Sequence, residues 1–228
     1  MSLFAVNVSA ANFELLGQQS ILSYEVLKFG SIYINGELSS DSKAELKGSL
    51  TLTDFKELSD LKGKITLSNS VFKSGSYQRD LAVKEIINSD VIIEVEKVYS
   101  YRPNDSLANL SIKLNINGVS DLETTQTKIL LSDNLIQVIG KFNVNRKKYG
   151  LVFKKGFAGQ FDPAIAEQFT LSYHLVFNTE PETFKLLKST MHSSSTSSAL
   201  HKDETATHTE DIGVIQKVKL FFSRLLMD

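Results

Sequence analysis

Few side chains capable of acid–base, nucleophilic or metal chemistry occur in this chain, and they do not cluster. The four histidines are His174, His192, His201 and His208, and there is no cysteine. Thiolate nucleophiles, disulfides and Cys-ligated zinc are therefore excluded. Three of the histidines fall in a Ser-, Thr- and His-rich stretch from Ser189 to Thr209, where no scaffold would hold a metal or a nucleophile's partner. His174 sits between Tyr173 and Leu175 in an alternating run and reads as a strand residue. No His pair at i, i+4 spacing suits zinc, no Gly-x-Ser-x-Gly elbow presents a nucleophile, and no Gly-rich loop before a helix would cradle phosphate. An enzyme is not expected, and no catalytic or metal-binding residue is assigned.

One polar cluster remains, Ser74-Gly75-Ser76-Tyr77-Gln78-Arg79-Asp80. Asp80 could cap or charge-match a helix that starts there. Arg79 carries a rigid five-donor fork suited to a carboxylate or to the carbonyls of an adjacent loop. A structural turn is the preferred reading.

The elements that would position these groups are mostly strands. The chain has 228 residues, is 42% hydrophobic and 22% charged, and has a formal net charge of −1. That is room and composition for one large core. It lacks the excess of Lys and Arg that a nucleic-acid partner requires. Up to about Phe177, β-branched and aromatic residues alternate with polar ones. Strands are expected over Ser31–Leu38, Ala44–Thr53, Gly63–Ser70, Asp90–Val98, Leu107–Ile116, Thr124–Ser132, Leu135–Val144 and Glu167–Phe177. Phe4–Leu16 and Ile21–Phe29 add one or two more. Asn35-Gly36, Asn117-Gly118 and Asp133-Asn134 read as turn punctuation, the last as a tight hairpin. Ser76–Asn88 reads as a short helix, and Pro163–Glu167 as a second helical turn. Antiparallel strands with short turns close on themselves or stack to hide their edges. The fold class is mainly all-β: an antiparallel lipocalin-like barrel with one or two short helices.

The composition changes after Phe177. Residues 1–178 are assigned to the barrel, 179–209 to a short helix through about Lys188 and a disordered linker, and 210–228 to an amphipathic helix. In that helix Val214, Val218, Phe221, Phe222 and Leu225 share one half of the wheel. They are candidates for docking on a membrane, in a partner's groove, or back on the barrel. No signal-peptide pattern opens the chain and no run of 18 apolar residues spans a bilayer. The expected location is cytoplasmic, peripheral to the inner face of a membrane.

Four segments, in order, carry a family resemblance. They are Leu46-Lys47-Gly48-Ser49-Leu50-Thr51; Lys64 to Val71 followed by Arg79-Asp80; Lys113-Leu114-Asn115-Ile116-Asn117-Gly118-Val119-Ser120; and Gly140 to Arg146 with Tyr149-Gly150-Leu151. From Ile32 to about Leu151 the chain resembles the YceI-like family. The resemblance implies an extended lipocalin-like barrel whose long apolar pocket takes polyisoprenoid-type lipids or quinone-like molecules, without catalytic machinery. The chain departs from the pattern where Leu81-Ala82-Val83 follows Arg79-Asp80 in place of a nearby His, in lacking a secretion signal, and in its tail.

Period-2 faces name the interior rows. Leu110, Ile112, Leu114 and Ile116 share one side of their strand. Val91, Ile93 and Val95 share another, as do Phe169, Leu171, Tyr173, Leu175 and Phe177. The candidate ligand-binding set is Val71, Tyr77, Arg79, Ile93, Leu110, Ile112, Leu114, Ile129, Phe142, Phe169, Leu171, Tyr173 and Leu175. Arg79, Arg102 and Arg146 are candidates for meeting a polar head group at the mouth. The pattern alone leaves two outcomes open. Either the rows enclose space for an isoprenoid or quinone-like lipid, or they fill the core of a scaffold that acts through its terminal helix.

Overall fold

A computed structural model of the chain describes residues 10–53, 58–68, 72–132, 134–153, 164–182 and 185. The expected strand start at Phe4, the linker and the terminal helix with Val214, Val218, Phe221, Phe222 and Leu225 lie outside them, as does Val71. In chain order the elements are β1 (Ala11–Leu15), β2 (Ile21–Lys28), β3 (Ile32–Leu38), α1 (Ser40–Glu45), β4 (Leu46–Leu52), β5 (Lys62–Leu67), β6 (Phe72–Lys73), α2 (Tyr77–Ile86), β7 (Val91–Arg102), β8 (Leu107–Ile116), β9 (Val119–Ser132), β10 (Leu135–Asn145) and β11 (Ile165–Asn178).

Eight strands close a barrel in the order β1-β4-β5-β7-β8-β9-β10-β11, with β1 returning to β11. All of its pairings are antiparallel. Closure removes the exposed edges that an open sheet would present. Bulges between Val95 and Lys97 and between Val98 and Ser100 break the β7–β8 register, and such insertions bend and twist a strand as closure demands.

The seam is at β11. Its last residues pair with β1, Leu15 opposite Phe177 and Glu14 opposite Asn178. Its earlier part pairs with β2, from Ile165↔Lys28 to His174↔Ile21. Between β1 and β2 the chain leaves the ladder, and the buried Ser20 fills the gap. Its hydroxyl donates to the Leu16 carbonyl at 2.9 Å and accepts from the Val176 amide at 3.1 Å. From there β2, β3 and β6 continue the sheet as a flap beyond the barrel.

Two glycines make room for inward tyrosines. Gly36 faces Tyr24 across β2–β3 and Gly140 faces Tyr173 across β10–β11. A Cβ at either position would come within 2.3 Å of the tyrosine ring or hydroxyl. Asn35-Gly36 is thus not a turn: it lies inside β3, because Gly36 serves packing there. Asn117-Gly118 does turn, with both φ values positive and Ile116 opposite Val119. The Ser132↔Leu135 pair fits the tight β9–β10 hairpin. The β2–β3 turn is less expected. Phe29 and Gly30 both have positive φ, 52° and 71°, as a type I′ turn requires, and that turn favours Asn-Gly. Left-handed backbone at a phenylalanine costs roughly 1–2 kcal/mol.

Several boundaries differ from expectation, among them the end of β7, which runs to Arg102 and not Val98. Ala44 and Glu45 end α1 instead of starting a strand, since Ser39 caps that helix by accepting from the Ser42 amide. Ile165–Glu167 belong to β11 and not to a helical turn, as Ile165 pairs with Lys28 of β2 ahead of a bulge that ends at Phe169. β9 begins at Val119, ahead of Thr124, because β8 pairs with it all the way back to the turn. The short β6 was not anticipated, while Pro181, Glu182 and Lys185 are helical as expected.

Candidate ligand-binding site

The inward rows do not meet in the middle of the barrel. They leave two adjoining apolar cavities. The first lies under α2 and is lined by Leu22, Tyr24, Val26, Leu67, Phe72, Val83, Ile86, Ile87, Val91, Leu114, Ile116, Arg146, Leu151, Phe153, Ile165, Phe169 and Leu171. The second lies deeper, lined by Leu22, Leu46, Leu50, Gly63, Ile65, Leu67, Val91, Ile93, Val95, Leu110, Ile112, Val138, Phe142, Tyr173, Leu175 and Phe177. The space open to the centre of a water-sized sphere is about 70 Å³ in the first and about 50 Å³ in the second. By that measure one water needs roughly 10–15 Å³ and several polar partners, so space of this size lined by hydrocarbon stays dry or takes an apolar guest. Leu22, Leu67 and Val91 line both cavities and stand where the two adjoin.

Helix α2 forms the roof of the first cavity. Val83, Ile86 and Ile87 recur at helical spacing and face inward. Tyr77 lies two and a half turns before Ile86 on the opposite side and is 80% exposed, so it is no part of the site. Both ends of the helix are tied down. At its start, Asp80 Oδ1 accepts from the Ser74 amide at 2.8 Å and the Ser74 hydroxyl at 2.6 Å. At its end, Asn117 Nδ2 donates to the Ile86 carbonyl at 2.6 Å, and Asn117 Oδ1 accepts from the Asn88 amide at 3.0 Å. Arg79 donates through Nε to the Ser74 hydroxyl at 3.2 Å and through Nη2 to the Ser74 carbonyl at 2.8 Å. The structural turn is what is seen. Half-buried Arg79 also borders a small gap that shares Tyr24, Val26, Val83, Phe153 and Ile165 with the first cavity.

Polar groups at the cavity walls are already engaged. Arg146 is 2% exposed and its fork donates to the carbonyls of Ala166 at 2.9 Å, Leu151 at 2.8 Å and Ile165 at 3.0 Å. It stands 5.8 Å from the Phe153 ring and serves as a structural clamp, contrary to the head-group role considered for it. Arg102 is exposed and pairs with Asp105 at 3.3 Å, away from both cavities. The Tyr173 hydroxyl lies 2.9 Å from Thr125 Oγ1 and 2.6 Å from Thr127 Oγ1. Burial pushes its pKa up against the opposing effect of those two bonds. His174 points away from the cavities, with Nε2 at 2.9 Å from Gln137 Oε1, and burial lowers its pKa.

Of the sequence-named residues, Ile93, Leu110, Ile112, Leu114, Phe142, Phe169, Leu171, Tyr173 and Leu175 are brought together at the cavities. Ile129 is buried but lines neither cavity. Sequence reasoning missed Leu22, Tyr24 and Val26, whose period-2 spacing in β2 could have revealed them. It also missed Val83, Ile86 and Ile87, whose i, i+3, i+4 spacing marks a packed helix face. Phe153 and Ile165 carry no such signal.

Neither a family model nor a curated protein matches the sequence. Solved structures share the fold, and two of them show the extent of the overlap. The crystal structure of BcnA from Burkholderia cenocepacia superposes with a TM-score of 0.58 at 14% identity, covering 71% of this chain and 98% of that one. A polyisoprenoid binding domain from Saccharophagus degradans, implicated in plant cell wall breakdown, gives a TM-score of 0.56 at 15% identity, covering 75% of this chain and 100% of that one. The chain thus has the barrel architecture that its resemblance to the YceI-like family implies.

Proposed function

We propose that this barrel binds an apolar, chain-like lipid of the isoprenoid or quinone class, and does so without catalysing a reaction on it. The observation that carries the reading is the pair of adjoining cavities, lined almost wholly by hydrocarbon and sharing Leu22, Leu67 and Val91 in their walls. Each methylene moved from water into such a space contributes roughly 0.8 kcal/mol, so a long tail needs no polar contact for tight binding. Polyisoprenoid binding by the fold-sharing Saccharophagus degradans domain supports the same ligand class. A filled-core scaffold is disfavoured, because the interior rows enclose space instead of occupying it.

Arg146 and Tyr173 have their polar atoms engaged by protein groups, so the site reads the tail and not the head. Arg79 is the group placed to meet a head at the α2 end: its Nη1 makes no hydrogen bond to a described residue. Titrating delipidated protein with a polyprenyl alcohol, and with a quinone bearing the same tail, tests this. Both should raise Tm to a similar extent by selective binding to the folded state. No shift with either ligand would refute the reading.

A further inference from the structure

We infer that the β2–β3 flap is a docking surface for a lipid bilayer, with Phe29 as the residue that enters it. The inference rests on the barrel being a lipid carrier, since a guest with no solubility in water has to be exchanged with another apolar phase. The small gap beside Arg79 shares Val26, Phe153 and Ile165 with the cavity under α2 and runs towards the flap. At its outer side the Phe29 amide donates to the Ala164 carbonyl at 2.7 Å, and Ile165 pairs with Lys28. Arg146 binds the carbonyls of both Leu151 and Ile165, so the chain at Leu151 and Val152 runs near Ile165.

This rim is apolar where a free surface would be polar. Phe29 is 60% exposed, Ile32 53%, Tyr33 65% and Val152 50%. Phe29 is misplaced on a second, independent count. Its φ is positive at a turn position that favours Asn, and backbone strain combined with exposure points to a role outside folding. The charge of the rim suits anionic head groups. Lys28 Nζ lies 5.0 Å over the Phe29 ring and has no carboxylate partner among the described residues, an arrangement in which the ammonium stays at the interface while the ring goes deeper. Half-buried Arg79, whose Nη1 makes no hydrogen bond to a described residue, adds a second positive group, with the Asp80 carboxylate on the same Ser74.

The test is vesicle sedimentation of the full chain on phosphatidylcholine containing phosphatidylglycerol, read with Tm for each variant. Phe29→Asn should raise Tm by a few degrees, because the turn is relieved, and weaken partitioning roughly tenfold, because the ring is gone. Phe29→Asn with Ile32→Thr and Tyr33→Thr should remain in the supernatant. Tyr99→Ser, at an exposed ring on the far part of β7, should sediment as the unaltered chain does. Lipid retained inside each protein is measured in parallel by extraction and mass spectrometry. A triple variant that still sediments normally would overturn the proposal. So would loss of sedimentation only on removing residues 210–228, which would place contact in the tail. An unaltered chain that holds lipid but ignores vesicles also overturns docking, and leaves the carrier reading standing. An empty chain that ignores vesicles overturns both.

Discussion

Arg146 joins a sequence motif to a structural task that the motif does not reveal. Within the run Gly140 to Tyr149 it reads as a charged residue near a barrel mouth. In the fold its guanidinium is buried and holds the carbonyls of Leu151, Ile165 and Ala166. Which carbonyls converge depends on β11 returning beside β10, a non-local fact that residue spacing does not encode. Arg146→Lys keeps the charge but loses the fork, leaving buried carbonyls unpaired. It should lower stability by about 2–3 kcal/mol in urea unfolding; an unchanged midpoint would contradict the clamp. His174 was legible from sequence as a strand residue, and its burial supplies a pH effect of definite sign. Its folded pKa lies below the unperturbed value of 6.5, so the unfolded chain takes up the proton first as pH falls. Stability is therefore withdrawn below pH 6.5, and the group is silent above it. His174→Gln should flatten the fall in Tm between pH 7 and 5 relative to the unaltered chain. Parallel curves would show that the imidazole does not titrate differently on folding.

At the scale of elements, alternation located nearly every barrel strand, because each has one wet and one buried face. Leu107–Ile116 was placed without error. Turn signals and short periods failed where tertiary demands replace local ones, even inside Ser31–Leu38, which alternation placed as a strand. Asn35-Gly36 looks like a turn and is a strand, since Gly36 makes room for the Tyr24 ring. Two-residue β6 is too short to carry a period. The seam shows how an element's role depends on one side chain. β1 and β2 share the same edge of β11 in succession, and Ser20 supplies the acceptor for Val176 where no strand does. Ser20→Ala leaves that buried amide unsatisfied. The expected loss is about 1–3 kcal/mol, with faster hydrogen exchange at the Val176 amide. Unaltered exchange there would mean that the seam closes without it.

For the whole molecule, the faces that sequence assigned to the interior do face it, and residues from β7, β8, β10 and β11 meet around one space. Whether such rows enclose a void or fill it is set by the separation of opposite walls. That depends on strand number, bulges and the placement of glycines across the barrel, so periodicity alone left it open. The α2 roof adds a second feature invisible to strand patterns: an apolar helix face over one cavity, secured at both ends. A chain-like guest that occupied both cavities would pass Val91, which lines both and is 8% exposed.

The most direct measurement is mass spectrometry of the organic extract from purified protein, unaltered and with Val91→Phe. A phenyl ring there would fill the boundary that a guest occupying both cavities has to cross, at an overpacking cost of about 1–3 kcal/mol. The unaltered chain should yield a long-tailed lipid in near-stoichiometric amount, and the variant should yield little of it while remaining folded. Equal yields of long-tailed lipid from both proteins, or none from the unaltered one, would contradict a tail threaded through the two cavities.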